Sequence, residues 1–174
     1  MSTTILRRTP DIGFSVFKFL KDQLYTVDGI TATLATRADL SGLRIRIGYP
    51  SDLSKVTTPA LHVGSPDEET EGQVYFGTVD GEDFSTVRVY GFVVGLGETD
   101  QPHVFYRDRL KNDVRQLFAE VGEDEGITLY SAATKAEIGA IEVINTRSRL
   151  VPATAPAVPA DRFKFVVEAD IAYD

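Results

Sequence analysis

Apolar residues at Ile12, Val16, Phe19, Leu20, Leu24 and Val27 recur at spacings of three and four, while Lys18, Lys21, Asp22 and Gln23 fall mainly between them. That period predicts an amphipathic helix running to about residue 27. Thr9, Pro10 and Asp11 suit its start: a hydroxyl that can cap, a proline at the first helical position and an acid at the positive end of the dipole. Asp28-Gly29 should end it. Phe14 and Phe17 add aromatic bulk to the stripe, which reads as core.

The period then changes to two. Residues 30–36 are weakly strand-like. Residues 43–49 alternate cleanly, with Leu43, Ile45, Ile47 and Tyr49 on one face and Arg44, Arg46 and Gly48 on the other, as in a half-buried strand. A short apolar strand is expected at 60–63 and another within 74–79, in a stretch punctuated by Gly72, Gly77 and Gly81. Residues 84–95 have the strongest β character and become apolar on both faces near their end, which predicts a central strand.

Thr99-Asp100-Gln101-Pro102 marks a second helix start. Val104, Phe105, Leu110, Val114, Leu117, Phe118 and Val121 form its stripe, and Gly122 closes it. The opposite face mixes signs, with Arg107, Asp108, Arg109, Lys111, Asp113 and Arg115, and reads as solvated. The last third should be strands at 127–130, 138–146 and 162–173, the final one alternating over its whole length. Between the last two, Pro152, Pro156 and Pro159 among alanines and valines cannot enter a sheet interior and favour an extended, projecting arm.

The order helix, strands, helix, strands lacks strict βαβ alternation. It predicts an α+β two-layer sandwich: a mixed, mainly antiparallel sheet with two principal amphipathic helices packed on it. No internal repeat or linker divides the chain, so residues 1–174 read as a single domain with an acidic loop region at 64–83 and a Pro/Ala-rich loop at 150–160.

Composition sharpens this picture in two ways. The absence of cysteine excludes a disulfide scaffold, a thiolate zinc site and a cysteine nucleophile, and fits folding in a reducing cytoplasm. The net charge of -8 is local: residues 64–83 hold seven acids and no base, and without them 19 acids face 18 bases. A protein gripping nucleic acid through phosphates would show a basic stripe instead. No apolar run after Arg7 and Arg8 is long enough for a signal peptide, and none approaches the ~20 residues of a membrane helix. No membrane partner is expected.

Candidate chemistry is sparse. His62 and His103 are 41 residues apart without ligand partners at short spacing; His62 reads as a structural histidine in an apolar run and His103 as exposed in a first helical turn. No nucleophile elbow is present. Gly91, Gly95 and Gly97 lie between a strand and a helix, but no Lys-Ser/Thr pair follows and the dinucleotide spacing is missing. Asp67, Glu68, Glu69 and Glu71 lack the alternating ligands of a calcium loop. No catalytic residue, cofactor or metal is expected.

The layout as a whole resembles the tail terminator and neck (head-tail joining) proteins of tailed bacteriophages. Its elements are an amphipathic N-terminal helix, a short strand near 59–64, an acidic stretch, the long strand 84–95 and the helix 104–121. There follow a strand ending at Tyr130, the strand 139–146, a loop, and a terminal strand opening with Arg162-Phe163-Lys164-Phe165. The resemblance implies a structural virion protein at the head-tail junction, assembled in the host cytoplasm. It would form a ring, usually of six subunits, that terminates the tail tube, meets the tail tube protein on one side and a head-completion or connector protein on the other, and lets DNA pass without specific binding. Candidate interface or channel-facing residues are Asp67, Glu68, Glu69, Glu71, Arg44, Arg46, Pro152, Pro156 and Pro159. Another connector protein is the near alternative, and a small-ligand-binding or enzymatic α+β domain is the alternative from a different class.

Overall fold

In a computed structural model, the residues described are 10–37, 42–48, 55–57, 59–64, 76–79, 82–94, 101–122, 124–151 and 162–173. They form helix α1 (Ile12–Asp22), strands β1 (Tyr25–Val27), β2 (Ile30–Ala32), β3 (Arg44–Ile47), β4 (Ala60–Val63), β5 (Phe76–Val79) and β6 (Glu82–Val94), helix α2 (Gln101–Leu117), and strands β7 (Ile127–Tyr130), β8 (Glu137–Val151) and β9 (Arg162–Tyr173). The expected α+β sandwich is the architecture found: a large sheet in the order β3-β4-β6-β9-β8-β7, with β5 also on β6, and the helices on it. Among the described strands of this sheet, only the β3–β4 pairing is parallel.

α1 is shorter than its apolar period suggests. Asp11 rather than Thr9 caps it, accepting the Phe14 N–H at 2.9 Å, while Pro10 stands outside the helix in a bridge to Ser131. The helix stops at Asp22 because Gln23 turns extended, with φ -66° and ψ 120°, and leads into β1; Asp28 and Gly29, with positive φ of 52° and 77°, then fold β2 back on β1 as a tight hairpin. Leu24, counted into the stripe by its spacing, is therefore 60% exposed. α2 ends in a π-helical turn, Phe118–Gly122, where Val121 O receives the N–H of Glu125 and of Gly126. Its polar face is not wholly solvated: Asp113 pairs with the buried Arg37 at 2.9 Å, and Arg109 lies 3.8 Å from Asp28 of the hairpin turn.

β6 is central, as its apolar character predicts. It pairs with β9 along its length, and on its other side with β5 at residues 82–85 and with β4 at residues 89–92. The sheet is thus two offset rows, β3-β4-β6-β9-β8 and β5-β6-β9-β8-β7. α1 contacts β7 and β3, at diagonally opposite corners, and α2 lies over β6, β9 and β8. Sheet twist lifts one diagonal pair of corners toward a helix on that face. The other pair, β5 and the far end of β8, is left without α1.

The main core gathers Ile12, Val16 and Leu20 of α1, Leu110, Val114 and Leu117 of α2, and the facing side chains of the sheet. Each fully buried aliphatic side chain contributes roughly 1.5–3 kcal/mol. Gly91 sits opposite Phe165, whose ring occupies the space a Cβ would need, so this glycine serves packing and not a phosphate loop. On the reverse face Tyr90, Phe92, Val166, Ala60 and Val56 form a second, smaller cluster. That is why the end of β6 is apolar on both sides.

Candidate assembly interface

Three long strands carry the reverse face. Because β6, β9 and β8 are in register, Thr86, Asp170 and Asn145 form one rung, and Arg88, Glu168 and Arg147 the next. Alternation puts all of them on the side away from the helices. Glu168 receives Arg88 at 3.3 Å from one side and Arg147 at 3.0 Å from the other, with Arg149 at 3.8 Å. Arg147 also meets Asp170 at 2.5 and 3.1 Å, and the Thr86 hydroxyl donates to Asp170 at 2.7 Å. Burial works against the charged form of Asp170, but the hydrogen bonds from Arg147, Thr86 and Asn145 and the Arg147 charge outweigh it and hold the carboxyl below its ordinary value. The same contacts, led by the hydrogen bond to Asp170, hold Arg147 as a cation above its ordinary value.

This ladder explains why β8 runs to Val151 instead of stopping at residue 146. Arg147 and Arg149 lie beyond the strand expected at 138–146, yet each answers an acid on β9. Leu150 and Val151 likewise belong to β8 and not to the proline arm.

β7 covers β8 only from Glu137 to Ile141. Among the described residues no strand pairs with the outer edge of residues 142–151. A bulge interrupts the register between Val143 and Asn145, and the extra residue, Ile144, is 53% exposed; Leu150, further along, is 41% exposed. Bulges and charges are how natural sheets blunt an open edge, and an edge with two bare aliphatic side chains is only partly blunted.

The opposite side of the sheet ends in β3 and β5. Arg44 and Arg46 are exposed on β3, as expected of the polar face, but Ile47 on the other face is 47% exposed because β3 is an edge strand. His62, opposite Arg46 in the register, fixes the end of this strand: its Nδ1 lies 3.0 Å from the Gly48 carbonyl, so Nδ1 carries the proton, and its ring meets Phe92 edge-on at 5.5 Å. Burial, reinforced by the Arg46 charge and partly offset by the Gly48 hydrogen bond, lowers its pKa. The structural role expected of His62 is the one its contacts describe. His103 falls in the first turn of α2, and its side chain lies outside the described set.

The β7 edge is closed by α1. The Tyr130 N–H donates to the Ser15 hydroxyl at 3.0 Å, that hydroxyl donates to the Asp11 carbonyl at 2.6 Å, and the Asp11 N–H donates to the Tyr130 carbonyl at 2.8 Å. Lys135 pairs with Asp11 and covers the Phe14 ring. Sequence reasoning missed Ser15 entirely; the only signal is a small polar residue within an apolar stripe.

Among the described residues, clefts open on the helical side. One of about 370 Å³ lies between α1 and β7, and one of about 460 Å³ lies between the β1–β2 hairpin and α2, beside Arg37 and Asp113. Among the described residues no group of three or more His, Asp or Glu is placed to hold a metal ion, and no helix is long and apolar enough to cross a membrane. Of the candidate interface residues, Arg44 and Arg46 share one strand edge, whereas Asp67, Glu68, Glu69, Glu71, Pro152, Pro156 and Pro159 lie outside the described residues. The chain matches no protein-family model, and none of the curated proteins matches it.

Proposed function

We propose that this chain is a structural subunit that assembles head to tail into a ring, in the role its likeness in layout to tail terminator and neck proteins implies: closing the head-proximal end of a phage tail tube and joining it to the head. The observation that carries the reading is a pair of unlike edges on opposite sides of one sheet, β8 beyond Ile141 on one side and β3 with β5 on the other, along which no further strand pairs among the described residues. A two-fold dimer needs one self-complementary patch, whereas a closed ring needs two different patches that meet. The long strands β6, β9 and β8, cross-tied by the charged ladder, suit a subunit whose shape must repeat accurately around an axis.

The local acidity supports the same reading. An acidic stretch at 64–83 turned toward a channel would repel passing DNA and keep it from adhering. The proline-restricted arm would dock on a neighbour at a reduced ordering cost. Negative-stain imaging of the purified chain, alone and with a tail tube protein, tests the proposal: rings, usually of six, are expected, and uniformly single particles in both samples would contradict it.

A further inference from the structure

Three features of the sheet bear on which edges meet, an inference that rests on the ring reading above. First, β8 offers ten residues, 142–151, whose outer edge no described strand covers, and two of the chain's exposed large aliphatic side chains, Ile144 and Leu150, lie along it. Second, β5 is itself an edge strand among the described residues, where it pairs with β6 alone. The β5 corner and the far end of β8 are the diagonal pair that α1 does not cover. Third, their charges are opposite. β5 lies inside the stretch of seven acids without a base, with Asp80, Glu82 and Asp83 immediately after it. The far ends of β8 and β9 carry Arg147, Arg149, Arg162 and Lys164 against Glu168 and Asp170, so two bases remain in excess after the ladder pairs are formed.

We infer that the free edge of β8 in one copy of the chain takes β5 of the next copy as an added strand, so that the sheets of neighbouring subunits join edge to edge. Main-chain hydrogen bonds supply affinity in such strand addition, and the charges select the partner edge. The other edge that no described strand covers, β3, presents Arg44 and Arg46 to a β8 that already bears arginines, and this like-charge meeting disfavours it. A β8–β8 pairing would bring Arg147 and Arg149 of two copies together and is disfavoured for the same reason. Joining an upper-row edge to a lower-row edge staggers successive subunits along the strand direction, as tilted strands do in any closed barrel.

The natural absence of cysteine makes the test clean. Ser148→Cys in β8 and Thr78→Cys in β5 are made separately in the full chain, the two proteins are mixed under assembling conditions, and a short bismaleimide is added. A cross-linked dimer is expected from the mixture and not from either variant alone, and the double variant should give a ladder of higher oligomers. Cross-linking of the β8 variant to itself would overturn the inference, as would oligomers, seen by light scattering in the same samples, that yield no mixed product. In that last case the ring reading survives without this contact, whereas a strict monomer with and without tail tube protein defeats both. Ile144→Glu gives an independent reading, since this exposed bulge residue can change without disturbing the core: an added carboxylate facing the acidic edge should raise the concentration for half-assembly by about tenfold or more. An unchanged concentration would contradict the inference.

Discussion

Asp170 and Gly91 show how single residues hold the plate of strands together, and both make measurable commitments. The Asp170 carboxyl, partly buried between Arg147 and Thr86, is held below its ordinary value. Its contribution to stability is therefore fully present above the unfolded value near ~3.9 and is lost as pH falls through the lower folded one. Asp170→Asn should cost on the order of 1 kcal/mol at neutral pH and should flatten the loss of stability below about pH 4, as followed by denaturant unfolding at a series of pH values. A variant with the same acid slope as the parent would show that the ladder is not coupled to folding. Gly91→Ala places a methyl where the Phe165 ring lies, and overpacking of this kind costs about 1–3 kcal/mol. A stability equal to the parent's would mean that the ring moves aside freely. Neither role could be read from the sequence: Gly91 resembled part of a loop, and Asp170 was one polar position in an alternating strand.

Elements were legible where one period ran uninterrupted and illegible where two explanations shared the same residues. β6, β7 and β9 were expected within two residues of their bounds because alternation or a dense β-branched run leaves no helical alternative. The end of α1 was misread because Leu24 and Val27 continue the helical spacing by coincidence, while the hairpin turn at Asp28-Gly29 sets the backbone. Gly29 stands in open space with φ of 77°, so its requirement is conformational alone. Gly29→Val should destabilise by about 1–2 kcal/mol, the cost of a left-handed residue with a Cβ, with faster amide exchange confined to residues 25–32. Faster exchange spread through β6 and β9 would contradict this assignment. The length of β8 was missed for a different reason, since the acids that answer Arg147 and Arg149 lie 19 to 23 residues further along the chain and become neighbours only through the β8–β9 register.

At the scale of the whole molecule, the α+β class followed from the order of periods, but the arrangement of edges did not. Which strands lie outermost depends on long-range pairings, and the offset of β4 and β5 along one side of β6 has no local signature. That offset gives the sheet unlike sides. The candidate acids and prolines mark stretches of composition, while the uncovered part of β8 adds an edge that composition alone would not single out. The central claim, that these unlike sides meet in a closed ring, is tested most directly by molar mass from light scattering at rising concentration, with and without the tail tube protein. The expected result is a defined oligomer that stops growing at a ring, usually of six subunits; a mass of 19.1 kDa at every concentration in both conditions would contradict it.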